Sequence, residues 1–218
     1  MRTQTKAAWA VLVVIVVALG SVLVTSQLRD DEGPVVVDAP EASSLVRDDS
    51  RILGEEGDSG VTLVEFLDFE CEGCRAAYPV VEDLREKYAG RVTFVIRYFP
   101  MPGHVNSERA ARAVESAARQ GQLEAMYARM YETQAEWGEG REPLDDLFRS
   151  FADDLGLDLM QYDADYASAE VAARVQRDLD DGIELGVSGT PTFFVDGRPF
   201  HPQTVGDFDT ALDEALER

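Results

Sequence analysis

The stretch Val61-Thr-Leu-Val-Glu-Phe-Leu-Asp-Phe-Glu-Cys-Glu-Gly-Cys74 decides the fold of this chain. Its first part is rich in β-branched and aromatic residues and follows Gly60, which predicts a buried strand. Its last part holds the only two cysteines of the chain, Cys71 and Cys74. Apolar residues then recur at helical spacing as far as Tyr88, so a helix is expected to begin at the cysteines.

The segments on either side complete an α/β pattern. Residues Arg91 to Phe99 predict a second strand, which gives the order β-α-β. After Gly186 the pattern returns to β, with a hairpin over Thr192–Phe200 and a terminal helix over Val205–Leu216. Helical periods fill the middle of the chain, in Ala110–Met130 with a break at Gly121, in Leu144–Leu155 and in Ala164–Leu185. We therefore expect one α/β domain with a helical insertion at about residues 104–186.

Composition and charge exclude several classes of protein. The chain has 218 residues, with 20 Lys and Arg against 42 Asp and Glu, which gives a formal charge of −22. This length suits one globular domain, and two cysteines exclude a disulfide-dense mini-protein. Nucleic-acid binding draws most of its affinity from cations that neutralise phosphates. A chain with this acidic excess is therefore not expected to bind nucleic acid.

Residues 1–28 predict a cytoplasmic stub and one transmembrane helix. Ala7–Val24 is an uncharged run of 18 residues, preceded by Arg2 and Lys6. Such a run just spans a bilayer core, and the positive-inside rule places everything after it outside the cytoplasm. A cleaved signal peptide is the alternative, with Ala18-Leu-Gly20 as its cleavage site, although the apolar run continues beyond that site. Either way, the globular part is expected to be extracytoplasmic.

A flexible linker is predicted over residues 29–50, because this segment combines prolines, serines and scattered acids with little apolar content. The catalytic domain is then expected over residues 51–218.

The C-x-x-C pair is placed where a strand meets a helix, which is typical of a thioredoxin-like redox site. Unpaired N–H groups at a helix N-terminus stabilise a thiolate there. Three alternatives compete. A structural disulfide closing so short a loop would contribute only about 2 kcal/mol. The pair could also form half of a zinc site completed by His104 and His201, or remain as buried free thiols.

Glu65 lies within the apolar strand, six residues before Cys71. A carboxylate there is costly unless it has a partner or a function, and burial would raise its pKa towards neutrality. Glu65 is therefore a candidate buried proton acceptor for the second thiol. The alternative is an edge position from which the carboxylate reaches water.

A second motif, Gly189-Thr190-Pro191-Thr192, opens the late β segment. A proline at this point marks either the start of a strand or a cis bond in a tight bend. His104 follows the segment Tyr98-Phe-Pro100, and its simplest interpretation is a histidine that packs the insertion against the strand end. His201 is interpreted as a surface loop residue.

These motifs together resemble the DsbA-like thiol-disulfide oxidoreductases, and most closely their membrane-tethered branch. The resemblance covers residues 51–218 and implies a thioredoxin fold with a helical insertion. It further implies that Cys71 is the nucleophile, that Cys74 is the resolving cysteine, and that Glu65 is the buried acid. By the same resemblance, Thr190 and Pro191 form the cis-proline loop that faces the disulfide.

The resemblance also suggests partners. It implies exchange with thiols and disulfides of exported proteins, and reoxidation by a membrane protein of the DsbB or vitamin K epoxide reductase type. Thiol exchange requires no metal and no organic cofactor, and none is expected here. No separate dimerisation segment is visible, so a monomer is expected. A reductase or isomerase of the same fold is one rival, and a non-enzymatic peptide-binding or chaperone module is another.

One departure from the family pattern concerns redox strength. Many DsbA-like members carry a proline and then a histidine or an aromatic residue between the cysteines, whereas this chain has Glu72-Gly73. With Glu70 and Asp68 nearby, Glu72 is expected to make the Cys71 thiolate less stable than in a strong oxidant. A less stable thiolate means a less oxidising pair.

Overall fold

The structure is a computed structural model that describes residues 45–138 and 140–218. The predicted transmembrane anchor at 1–28 and most of the predicted linker lie outside these residues. Among the described residues, no helix has both the length and the apolar character that crossing a bilayer requires.

The described domain is built on one five-stranded sheet. Its strands are, in chain order, β1 (Arg51–Leu53), β2 (Thr62–Leu67), β3 (Thr93–Tyr98), β4 (Thr192–Val195) and β5 (Arg198–Phe200). Their spatial order is β1-β3-β2-β4-β5. The pair β2 and β3 is parallel, and the other neighbours are antiparallel. Strand β2, which leads into the cysteines, therefore lies at the centre of the sheet.

Seven helices are described in these ranges. They are α1 (Glu72–Lys87), α2 (Ser107–Ala118), α3 (Leu123–Trp137), α4 (Asp145–Asp154), α5 (Leu159–Tyr166), α6 (Ala169–Glu184) and α7 (Val205–Leu216). Helix α1 is the crossover between the parallel strands, as a parallel pair requires. Helices α2 to α6 lie between β3 and β4 in the chain and form the predicted insertion. The expected α/β fold with a helical insertion is confirmed.

Three details differ from the sequence prediction. Strand β1 was not predicted, because three residues are too few to show a periodic pattern. The helical pattern of Ala164–Leu185 is split into α5 and α6, because Ser168 accepts a hydrogen bond from the Val171 N–H and caps a new helix.

The third difference concerns the predicted linker, whose last residues pack on the domain. Leu45 is buried, and its carbonyl oxygen accepts a hydrogen bond from Arg97 on β3. Arg47 forms a two-pronged ion pair with Asp181 of α6 at 2.6 Å. In the described part of the chain, the last residues of the predicted linker therefore pack on the domain. Composition could not reveal this, because the contacts are made with residues 52 and 134 positions away.

The two faces of the sheet carry separate apolar cores. Leu63 and Leu67 of β2 face the larger core, which includes α1 and the insertion helices α2 to α5. Val64 and Phe66 face the smaller core, where Phe66 packs edge-on against Phe99 and Phe194. This alternation follows from the two-residue period of a strand. It also puts Glu65 on the same face as Leu63.

A buried ionic cluster joins the smaller core to helix α6. The fully buried guanidinium of Arg97 contacts the carboxylates of Asp178 and Asp181, and Arg174 binds Asp178 from the same helix. Helix α6 packs closely at this point. A Cβ added at Gly182 would lie only 2.7 Å from the Phe99 ring, so the helix has no room there for a side chain. The charge cluster and the close packing together fix the end of the insertion against β3.

Candidate active site

Cys71 caps the N-terminus of α1 and is partly exposed. Its thiol has a pKa lowered to about 5, first because the Cys74 thiol donates a hydrogen bond to it. Further stabilisation comes from Thr190 and from the backbone N–H groups of Gly73 and Cys74, and burial opposes it. These are the unpaired donors of the first helical turn, as the strand-to-helix placement predicted. Cys71 is therefore a thiolate at neutral pH.

Cys74 lies one turn further along α1 and is buried. Burial raises the pKa of its thiol, and the charge of Glu65 raises it further. The backbone N–H of Asp68 lies 3.5 Å from the Cys74 Sγ atom and partly offsets these effects. The two thiols are thus unequal, with an acidic exposed sulfur in front and a protonated buried sulfur behind it.

The Thr190-Pro191 turn faces Cys71 from the far end of the chain. The peptide bond between Thr190 and Pro191 is cis. The Cys71 Sγ atom lies 3.3 Å from the Thr190 carbonyl oxygen. A Cβ added at Gly73 would lie 3.2 Å from the Pro191 ring, so a side chain there would crowd this turn. The small residue between the cysteines therefore has a packing reason.

Glu65 is buried in the middle of β2, opposite Ile96 of β3 and Phe193 of β4. Its carboxyl group has a pKa raised to about 8, mainly through burial and also through the charges of Cys71 and Glu82. Its own charge in turn raises the pKa of the Cys74 thiol. The edge position considered as an alternative is wrong, because β2 is the central strand.

Buried aromatic rings lie near Glu65. Phe69 packs against Tyr127 and Tyr131 with ring centroids 6.1 and 5.1 Å apart. Burial raises the pKa of both tyrosines, and the charge of Glu65 adds to this effect. The effect of Glu65 on both tyrosines indicates that these rings of helix α3 lie near its buried carboxyl group.

Asp68 links the cysteine loop to the loop after β3. Its carboxylate accepts hydrogen bonds from the backbone N–H groups of Glu70 at 2.8 Å and Met101 at 3.0 Å. The same carboxylate lies 2.6 Å from Nδ1 of His104. Burial raises the pKa of Asp68, and these hydrogen bonds partly offset that effect. The sequence analysis treated Asp68 only as a nearby charge and missed this linking role.

The other acids of this loop are also engaged. The Glu70 carboxylate accepts a hydrogen bond of 2.6 Å from the Asn106 N–H, and burial raises its pKa. Glu72 is exposed in the first turn of α1. The pKa of the Cys71 thiol is low in spite of these acids. The helix N-terminus and the neighbouring thiol outweigh the local negative charge.

Gln134 is a further residue that the sequence analysis missed. It lies on α3, is buried, and donates from its amide Nε2 to the carbonyl oxygens of Phe69 at 2.7 Å and Cys71 at 2.9 Å. It thereby ties the insertion to the cysteine loop. No sequence signal could have identified it, because 63 residues separate it from Cys71.

Known proteins resemble this chain in sequence and in fold. Residues 47–214, more than half of the chain, match the protein family described as Thioredoxin. The chain belongs to the thioredoxin-like DsbA family of oxidoreductases.

Solved structures of this family resemble the domain closely. A thioredoxin-like oxidoreductase from Silicibacter pomeroyi is 30% identical, with a TM-score of 0.68, and the match covers 81% of this chain and 98% of the other. The thiol-disulfide exchange protein alpha-DsbA2 of Wolbachia pipientis is 18% identical, with a TM-score of 0.68 over 79% and 90% of the two chains. A periplasmic thioredoxin-like protein of Salmonella enterica is 20% identical, with a TM-score of 0.61 over 81% and 95%.

Curated proteins that match this chain in sequence are named as ion antiporters. The Na(+)/H(+) antiporter NhaA of Herminiimonas arsenicoxydans is 34% identical over 189 residues, which is 85% of this chain and 28% of the antiporter. Other antiporters of this name match over 21–25% of their length. The chain therefore spans about a quarter of the length of the curated relatives that it matches.

The zinc alternative finds no support in the geometry of the DsbA-family site. Within the described parts of the chain, no group of three or more His, Cys, Asp or Glu residues is arranged to hold a metal ion. His104 is bonded to Asp68, and His201 is exposed beyond the β4–β5 hairpin.

Proposed function

We propose that this chain is an extracytoplasmic thiol-disulfide oxidoreductase that introduces or exchanges disulfides in exported proteins through Cys71 and Cys74. The observation that carries the proposal is the inequality of the two thiols. Cys71 is accessible with a pKa lowered to about 5, and Cys74 is buried with a raised pKa. Such an arrangement makes Cys71 the sulfur that a substrate thiolate attacks, and also the sulfur that departs as a thiolate when the mixed disulfide is broken.

The proposed reaction begins with an oxidised Cys71–Cys74 pair. A substrate thiolate attacks the Cys71 Sγ atom, forming a mixed disulfide, and Cys74 leaves with the electron pair of the broken bond. A second substrate thiolate then attacks the substrate sulfur of that mixed disulfide, and Cys71 leaves as a thiolate. The substrate has lost two electrons and gained a disulfide, and the cysteine pair has gained the two electrons.

Proton transfer at Cys74 is assigned to Glu65. The leaving Cys74 sulfur needs a proton, because its pKa is raised by burial. A carboxyl group with a pKa raised to about 8 holds a proton at neutral pH and can supply it. In the reverse direction, when the pair is reoxidised, the same carboxylate accepts the proton.

We further propose that residues 1–28 anchor the domain to the membrane, with the catalytic part outside the cytoplasm. The charge distribution around Ala7–Val24 supports this placement. The periplasmic description of the Salmonella enterica relative in fold points the same way. A membrane redox protein of the DsbB or vitamin K epoxide reductase type would then reoxidise Cys71 and Cys74 at the same bilayer. Ion antiport, the activity named for the NhaA relatives, is not proposed for this chain.

The experiment that tests the function adds catalytic amounts of the oxidised protein to a reduced, unfolded secretory protein and measures disulfide formation. We expect faster disulfide formation, which Cys71→Ala abolishes. Faster reduction or reshuffling, without net disulfide formation, would favour the reductase or isomerase. Suppression of aggregation that persists in Cys71→Ala would favour the chaperone.

A further inference from the structure

His104 and Cys71 line the same cavity, although 33 positions of sequence separate them. The cavity has a volume of about 480 Å³ and opens beside the first turn of α1. Its charged lining residues, besides His104, are Glu70, Glu72 and Arg141. A substrate sulfur that reaches Cys71 from this side therefore passes the imidazole of His104.

The imidazole of His104 is fixed in orientation by a hydrogen bond to Asp68. Nδ1 lies 2.6 Å from the Asp68 carboxylate, whose side chain is fully buried. Two backbone N–H groups, from Glu70 and Met101, hold the same carboxylate in place. With Nδ1 bonded to Asp68, Nε2 is the nitrogen left for the cavity. A histidine that only filled space would not need this buried carboxylate.

The surroundings of His104 favour its protonated form. Burial lowers its pKa, but the hydrogen bond and charge of Asp68 outweigh burial, and the charges of Glu70 and Cys71 add to the rise. The other charged groups that face the loop are Glu72 and Arg141 in the cavity, and Glu108 and Arg109 on the opposite side. The negative groups outnumber the two arginines, so the whole environment supports an imidazolium.

We propose that His104, oriented by Asp68, supplies from outside the C-x-x-C segment a positive charge that further stabilises the Cys71 thiolate. Glu72-Gly73 brings no cation between the cysteines, and a side chain at position 73 would crowd Pro191. His104 acts when the bond between Cys71 and the substrate sulfur breaks and Cys71 leaves with the electron pair. Only this catalytic consequence rests on the proposed function, because the charge interaction itself exists in the free reduced enzyme.

The test is a reciprocal titration. The chain contains only two histidines, so the imidazole signals of His104 and His201 can be resolved by NMR, and the Cys71 thiolate can be followed by its ultraviolet absorbance. We expect His104→Gln to raise the Cys71 pKa by about half a unit, roughly a threefold loss of acidity. Linkage requires that Cys71→Ala lower the His104 pKa by the same amount.

Two further variants separate charge from packing. His104→Lys restores a cation and is expected to keep the Cys71 pKa within about 0.2 units of the parent value. His201→Gln is the matched control and is expected to change nothing. Equal Cys71 pKa values in the parent, His104→Gln and His104→Lys would overturn the inference, as would a Cys71→Ala variant in which the His104 pKa is unchanged. If the parent protein formed no disulfides in substrates while the reciprocal shifts in the Cys71 and His104 pKa values were observed, only the proposed function would be refuted.

Discussion

The carbonyl oxygen of Thr190 lies 3.3 Å from the Sγ atom of Cys71, although 119 residues separate them in the chain. The contact joins the start of α1 to the turn before β4, because β2 and β4 are neighbours in the sheet. It places a turn from the far end of the chain against the partly exposed sulfur.

The first prediction separates the roles of the two cysteines. Cys71→Ala is expected to abolish thiol exchange, because the remaining Cys74 thiol is buried and its pKa is raised. Cys74→Ala is expected to accumulate mixed disulfides at Cys71 when a disulfide-bonded substrate is added. The Cys71 thiolate attacks that disulfide and displaces one substrate thiolate, and no internal thiol can then release the bound substrate sulfur. Mass spectrometry after alkylation measures both. Mixed disulfides that form equally well at Cys74 in Cys71→Ala would contradict this assignment.

The second prediction concerns stability and pH at Glu65. Its folded-state pKa, raised to about 8, lies above that of an exposed glutamate. The native state therefore binds the extra proton, and its stability falls as pH rises between about 4.5 and about 8. Glu65→Gln removes this contribution to the pH dependence and is expected to stabilise the reduced protein by about 3 kcal/mol at pH 7.

Urea unfolding of the parent and Glu65→Gln at several pH values checks this prediction. The same variant is expected to slow release of Cys74, because an amide cannot supply its proton. An equal pH dependence of stability in the parent and in Glu65→Gln would show that the pKa of Glu65 is not raised in the folded state.

The third prediction concerns Gln134. Gln134→Leu removes both hydrogen bonds to the cysteine loop and is expected to destabilise the protein by about 1–3 kcal/mol, because buried carbonyl groups lose their donor. The Cys71 pKa should also rise, since the loop no longer holds Cys71 at the helix end. Gln161→Leu, at an exposed position of α5, is the matched control and is expected to change neither quantity. Unchanged stability and pKa in Gln134→Leu would mean that the helix alone positions Cys71.

The fourth prediction concerns the segment at residues 45–50. Asp181→Asn weakens the ion pairs with Arg47 and Arg97, and removing one partner from a buried cluster costs about 3 kcal/mol. We expect trypsin to cut after Arg47 several times faster in this variant. Asp180→Asn, on the exposed side of the same helix, is the control. Equal cleavage rates in the two variants would show that Arg47 is not held by Asp181.

Much of this fold could be predicted from the sequence, because its elements have clear local signals. The strand before Cys71, the hairpin around Asp196-Gly197 and the terminal helix from Val205 each carry a period or a turn motif, and each is present in the structure. Strand β1 was missed because it is short. The packed segment at Leu45 and Arg47 was missed because its partners are distant in sequence.

The candidate site was predictable to a similar extent. Cys71, Cys74 and Glu65 share one strand-helix unit, so their proximity follows from local structure. The linking role of Asp68, the contacts of Gln134 and the position of His104 depend on how the insertion packs on that unit. Local patterns carry no information about that packing, and for this reason the sequence analysis interpreted His104 only as a packing residue.

The reduction potential of the Cys71–Cys74 pair tests the proposed oxidising role most directly. Equilibration of the protein with glutathione, followed by separation of its reduced and oxidised forms, measures it. A Cys71 pKa of about 5 predicts a potential more positive than that of thioredoxin, about −270 mV, and more negative than that of DsbA, about −120 mV. A value at or below about −270 mV would contradict the account, because such a pair donates electrons to exported proteins instead of disulfides.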